Sequence, residues 1–404
     1  MTNTETSPAG SSLASAWTLE TGLDFLNHGS FGACPSRVQQ AQRDLRQELE
    51  TQPVRFMVRS LEARLDAARQ RVANFLGADS EGLVPVPNAT TGVNTVLRSL
   101  TFQPGDQLLT SDHAYNACRN ALDFVAGRAG AEVVVVEIPF PGADPDEVLD
   151  RFLAGATSRT RLALIDHITS PTGLVLPLEA LVSNLQERGI DVLVDGAHGP
   201  GMLDLQLDQL GAAYYTGNLH KWVCAPKGAA FLYVREDLRD GIVPLTLSHG
   251  YNMPRPGRSR FHDLFDWVGT DDPTPFLCAP TAIDTVASLV PGGWAEARRR
   301  NRELALFAQQ HLAEALGIPL PCPPSMIGTL AALPLPDSAS AAPPSSALYT
   351  SPLQSALHDQ HRIEVPIVPW PAPPALLIRV SAHVYNSEDQ YGRLADALAC
   401  ELFN

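Results

Sequence analysis

The sequence predicts an α/β protein centred on a mostly parallel sheet wrapped by helices. Three observations predict it. Short β-branched apolar runs recur through the middle of the chain. Two of them flank an amphipathic helical stretch, which makes a strand–helix–strand unit. Polar residues follow immediately after the runs, where open α/β sheets bind their ligands.

Taken in chain order, the first element is a helix. From Ser60 to Gly77 the apolar residues Leu61, Leu65, Ala68, Val72, Phe75 and Leu76 recur at helical spacing, and Gly77 stands where a helix C′ residue belongs. Val133–Ile138, Leu162–Ile165 and Val192–Val194 read as strands, with a helix over Leu178–Arg188 ended by Gly189 between the last two. Tyr214–Tyr215 and Ala229–Val234 read as two more strands. After about Asp266 the texture changes to proline-rich turns at Asp271–Pro275, a long helical stretch at Trp294–Leu316, and a segment at Pro334–Pro352 rich in Pro, Ser and Ala that reads as a flexible loop.

Composition narrows the function classes. A chain of 404 residues with 45% hydrophobic and 18% charged residues has ample material for a core and reads as two globular domains. Its net charge of −15 opposes a phosphate backbone, so nucleic acid is not an expected partner. No run approaches the ~20 consecutive apolar residues of a membrane span, and the start lacks a basic and apolar leader, so the expected location is the cytoplasm. The six cysteines (Cys34, Cys118, Cys224, Cys278, Cys322 and Cys400) form no C-x-x-C pair and read as free thiols. His113, His167, His198 and His220 fall near strand ends without H-x-x-x-H or H-E-x-x-H spacing, so no metal site is expected.

The lysines are the most informative residues. Of 29 basic residues only Lys221 and Lys227 are lysine, and Lys221 sits in Asn218-Leu219-His220-Lys221-Trp222. A lysine amine can lose its proton and form a Schiff base, which a guanidinium cannot. Asp195 ends a buried run, and Lys221 follows the next one, so both can face one cleft at the sheet's carboxyl edge. That pair suits pyridoxal phosphate, whose aldehyde needs a lysine and whose ring nitrogen needs a carboxylate. Upstream, Asn88-Ala89-Thr90-Thr91-Gly92 opens a helical run, and a helix N-terminus with hydroxyl residues suits a phosphate.

These motifs, together with Leu26-Asn27-His28-Gly29-Ser30-Phe31-Gly32, Asp112–Ala117, Ser170-Pro171-Thr172-Gly173, Asp195-Gly196-Ala197-His198 and Arg379–Asn386, resemble the class V aminotransferase family of fold-type I pyridoxal-phosphate enzymes, in its isopenicillin N epimerase-like branch. The resemblance implies a large domain with a seven-stranded, mostly parallel sheet and a smaller C-terminal α/β domain. The chain then divides into an N-terminal segment (1–29) packing with the small domain, a large cofactor-binding domain (30–265) and a small domain (266–404). It implies pyridoxal 5′-phosphate held by Lys221, with Asp195 at the ring nitrogen, His198 near the ring hydroxyl, Ser170 at the ring oxygen, and Thr90, Thr91, Asn218 and His220 at the phosphate. For the group stacked on the ring, which is also a candidate proton donor, His113 and Tyr115 both qualify, Tyr115 being the first choice. Arg379 matches the substrate-carboxylate arginine, with Asn27 as a second contact. Gly269-Thr270 resembles the segment lent to a neighbouring subunit's phosphate, which implies a homodimer.

The implied chemistry starts at the Cα of an amino-acid-like substrate, with the freed Lys221 amine removing a proton. Reprotonation on the opposite face would give epimerisation, the leading expectation; a C–S lyase, desulfurase-like or aminotransferase activity is the alternative. Desulfuration through a loop cysteine is disfavoured, because His361–Ile378 contains none and Cys322, set among prolines, reads as structural. A non-catalytic scaffold would have little use for a lysine at 221.

Overall fold

The structure is a computed structural model and describes residues 10–338, 342, 346 and 350–403. Its strands, in chain order, are β1 (Asp24–Phe25), β2 (Leu83–Val86), β3 (Gln107–Ser111), β4 (Glu132–Val136), β5 (Thr160–Asp166), β6 (Asp191–Asp195), β7 (Tyr214–Asn218), β8 (Ala230–Val234), β9 (Leu330–Leu335), β10 (Ile363–Glu364), β11 (Ile367–Pro369) and β12 (Leu376–Ser381). The large sheet has seven strands in the order β2-β8-β7-β6-β5-β3-β4.

Five of these strands run parallel, from β4 across β3, β5 and β6 to β7. Only β8 is reversed: it pairs antiparallel with both β7 and β2, so β2 again points with the majority. The sheet is covered on both faces. Successive residues of each strand feed opposite cores, because side chains alternate with period two. Leu108, Leu164 and Leu193 pack with Val93, Val96 and Leu122 on one face. Leu109, Ile165 and Val194 pack into the larger core on the other.

Several expected elements fall where the sequence places them. The first helix spans Leu61–Leu76, and Gly77 closes it in the left-handed region at φ +60° with its N–H on the Ala73 carbonyl. A π-helical turn, Arg55–Ser60, extends it upstream. The strand–helix–strand unit is β5, helix Leu178–Glu187 and β6. Two strands of the large sheet escape the sequence reading: β2 carries Pro85, and β3 opens on Gln107 and ends on Thr110-Ser111, though all five of its residues are buried.

The C-terminal region forms a three-stranded antiparallel sheet, β11-β12-β9. Helices Gly293–Leu316 and Glu388–Phe403 pack on each other and on this region. The N-terminal segment joins it, with β1 pairing parallel to β10 and Asp24 ion-paired to Arg393 at 2.7 Å. Of the expected loop Pro334–Pro352, Pro334 and Leu335 belong to β9 and Pro352 opens a helix; much of the remainder lies outside the described residues. No helix among the described residues is long and apolar enough to cross a membrane.

Candidate active site

The parallel strands β5, β6 and β7 end on Asp166, Asp195 and Asn218, and the loop after β2 reaches the same edge because β2 shares their direction. There a cavity of about 670 Å³ opens, lined among others by Tyr115, Asp195, His198, Asn218, His220 and Lys221.

Lys221 lies in the loop after β7, its Nζ 3.0 Å from His198 Nε2. The tautomer of His198 follows from its other nitrogen. Trp222 Nε1 can only donate, and it donates to His198 Nδ1 at 3.2 Å. The neutral imidazole therefore carries its proton on Nε2 and offers it to Lys221, which accepts only as a free amine. Burial, with Arg379 nearby, agrees by lowering the Lys221 amine to about 7. Burial also holds His198 well below the usual histidine range. His28 braces the loop from behind, its Nε2 bonded to the Lys221 carbonyl at 3.0 Å and its Nδ1 to the Tyr385 hydroxyl at 2.7 Å. Ligand atoms of His28, Cys224 and His383 lie within 4.8 Å of one another. The two imidazoles stack at 4.3 Å with 21° between their planes, which prevents both from aiming lone pairs at one ion.

Asp195 is 3% exposed. Its Oδ1 accepts the Ala197 N–H at 3.0 Å and its Oδ2 accepts the Cys118 thiol at 3.0 Å. Asp166 is its register neighbour on β5. Burial, then the Asp195 charge, pushes the Asp166 carboxyl well above the carboxylate range.

The far end of the cavity meets helix Ala89–Ser99. Asn88 caps it, accepting from the Thr91 N–H at 2.9 Å and the Thr91 hydroxyl at 3.1 Å, while Asn218 accepts the Ala89 N–H at 2.9 Å. Thr91 is thus committed to the cap. The helix can press on β7 only because residue 92 is glycine: a Cβ there would stand 2.1 Å from Thr216 Oγ1. His220 donates Nδ1–H to the Ala229 carbonyl at 3.2 Å, which leaves Nε2 free to accept. Lys227 also lines the cavity, its Nζ on the Gly32 carbonyl at 2.9 Å.

Arg379, on the central strand of the small sheet, is 5% exposed. It donates to Ser170 and, at 3.1 Å, to Ser30 Oγ. Among the described residues no carboxylate pairs with it, and its buried Nε has no hydrogen-bond partner. Burial lowers this guanidinium to about 10. A buried cation of that kind calls for an anion from outside.

Three expected site residues stand elsewhere. His113 is fully buried behind the cavity wall, with Nδ1 on Thr172 Oγ1 at 2.8 Å and Nε2 on the Ile138 carbonyl at 3.0 Å. Two residues on, Tyr115 faces the cavity instead, 45% exposed at the start of helix Asn116–Ala129. Asn27 does not line the cavity: it bonds Glu364 at 2.9 Å and accepts from Ser30, and Ser30 is the residue that reaches Arg379. Thr270 is exposed and outside this cavity. Conversely, the sequence reading assigned no role to Ser30, Phe31, Cys118, Asp166 or Lys227; the rarity of lysine was the one signal available for Lys227.

A family model for class V aminotransferases matches residues 18–321. The chain belongs to the class V aminotransferase family. This class V enzyme is 36% identical to the isopenicillin N epimerase of Amycolatopsis lactamdurans, over 96% of this chain and 98% of that one. It is 34% identical to a probable chloroplastic L-cysteine desulfhydrase of Arabidopsis thaliana, over 92% and 82%. The solved complex of the cystine C–S lyase C-DES with cysteine persulfide has the same fold, with a TM-score of 0.76 at 21% identity over 94% and 97% of the two chains.

The cofactor of this class V enzyme is pyridoxal 5′-phosphate, and the cavity fits it. A free amine, a buried carboxylate with acceptor capacity left, and a helix N-terminus with polar neighbours match the aldehyde, ring nitrogen and phosphate.

Proposed function

We propose that this class V enzyme inverts the configuration at the Cα of an amino-acid-like substrate. The observation that carries the reading is that one cavity holds two proton-transfer groups driven apart: Lys221, lowered to about 7, and Tyr115, raised by burial. One suits a base and the other an acid. Bound pyridoxal phosphate supplies the electron sink that acidifies the Cα–H. Lys221 would hold the cofactor and would take the Cα proton, and His198 Nε2–H keeps its lone pair oriented. Arg379 receives the substrate carboxylate on its fork, steadied by Ser30 and Ser170. Tyr115, which lines the same cavity, would deliver a proton to the other face of Cα. Asp195 pairs with the ring nitrogen, and Thr90, Asn218 and His220 surround the phosphate. In this reading the working unit is a cytoplasmic homodimer in which Thr270 serves the neighbouring copy's phosphate.

Incubation in heavy water with isopenicillin N, and separately with L-cysteine, tests the reading. Deuterium at Cα with loss of optical purity and the side chain intact is the expected result. A second reading, β-elimination from cysteine, draws on the desulfhydrase relative and needs Lys221 but no second proton donor. Pyruvate and sulfide released from L-cysteine, with no inversion of either compound, would replace the first reading with the second.

A further inference from the structure

Asp195 is the carboxylate assigned above to the ring nitrogen, and it does not stand alone. Cys118, in the first turn of helix Asn116–Ala129, is 1% exposed, and its thiol donates to Asp195 Oδ2 at 3.0 Å. The helix is fixed at this end by the Cys118 N–H on the Tyr115 carbonyl at 2.9 Å.

The groups facing Asp195 come from every element packed against it: Asp166 from β5, Tyr115 and Cys118 from the helix segment, Tyr215 from β7 and Lys221 from the following loop. Burial first, then the Asp195 charge, pushes both the Cys118 thiol and the Asp166 carboxyl well above their ordinary ranges. The thiol is consequently a standing donor to Asp195. A hydrogen bond drawn into one carboxylate oxygen reduces what the carboxylate offers any other partner.

We propose that Cys118 is a positioning residue: its thiol orients Asp195 and sets how strongly that carboxylate engages the proton of the cofactor's ring nitrogen. This rests on the assignment of pyridoxal phosphate to the Asp195–Lys221 cavity. Cys118 is not among the residues that line the cavity and acts through Asp195. Serine at 118 preserves a donor, whereas valine preserves apolar bulk and removes it, so the two replacements separate hydrogen bonding from packing.

The test is the pH titration of the visible absorption band of the cofactor-loaded enzyme, for wild type, Cys118→Ser and Cys118→Val. The expected result is a midpoint displaced by about half to one pH unit in Cys118→Val, the size of one hydrogen bond, and returned toward wild type in Cys118→Ser. Loss of kcat in Cys118→Val with little change in KM accompanies it. Identical midpoints in all three proteins would overturn the proposal, as would a displacement in Cys118→Ser with none in Cys118→Val. If Cys118→Val does not fold, Cys118→Ala, which also removes the donor, takes its place: an unshifted midpoint there overturns the proposal. Failure of the underlying assignment looks different, since the wild type itself would then show no visible band.

Discussion

The side chains assigned to the chemistry are set by their neighbours. Trp222 fixes the tautomer of His198, and His198 fixes the amine of Lys221. Replacing Trp222 by Phe frees His198 Nδ1 to carry the proton, so Lys221 loses its donor. The expected outcome is a Lys221 amine of altered basicity, read as a shifted pH profile of kcat/KM with the cofactor still bound. Tyr115→Phe is expected to lower epimerisation about 10²–10⁴-fold while Lys221 still exchanges the Cα proton of the starting enantiomer, which deuterium wash-in measures. Arg379→Leu removes the carboxylate fork and is expected to raise KM at least about tenfold for amino acids, with the visible spectrum of the resting enzyme unchanged. The sequence marked Asp195, Lys221 and Arg379 as candidates by residue type, by place after an apolar run and by the family resemblance. Ser30, Cys118 and Asp166 went unmarked, because their roles depend on which neighbour the fold sets beside them.

The elements explain how these residues meet. The reversal of β8 returns β2 to the majority direction and brings Asn88–Thr91 to the edge that holds Asp195. Gly92 then lets the helix close on β7. Gly92→Ala would force a Cβ against Thr216, with an expected loss of about 1–3 kcal/mol in unfolding free energy and faster release of cofactor, measured by denaturant titration and by the decay of visible absorbance. The same scale shows where sequence reading stops. Helix Leu61–Leu76 was legible because its apolar residues keep helical spacing and a glycine ends it. β3 was not, because Gln107, Thr110 and Ser111 break its apolar run, although the fold buries all three. His113 and Tyr115 lie in a turn, which has no periodicity to tell which of them faces the cavity; the fold sends His113 into the wall and Tyr115 into the opening.

Across the whole molecule, buried neutral histidines link stability to pH. Burial lowers His28 to about 3 and His167 and His220 to about 4, and it holds His198 and His383 far below their ordinary range. The unfolded chain binds protons at these positions below about pH 6.5 and the folded chain does not, so stability is fully present above that pH and falls as pH drops through it. Each group contributes up to about 1.4 kcal/mol per pH unit. His113 and His262 are lowered by burial too, whereas Asp166 and Asp191, raised in the folded state, work in the opposite sense and are outnumbered by the seven lowered histidines. A steep fall in the thermal midpoint of the protein between pH 6.5 and 5 is the expected outcome, and a flat profile would contradict it.

The chain's two lysines allow the central claim, that the cofactor is held in the Asp195 cavity through Lys221, to be tested in one measurement. The cofactor-loaded enzyme is reduced with borohydride, digested, and the modified peptide identified by mass spectrometry. The account expects the pyridoxyl group on Lys221. Its appearance on Lys227, or its absence from both, would contradict the account.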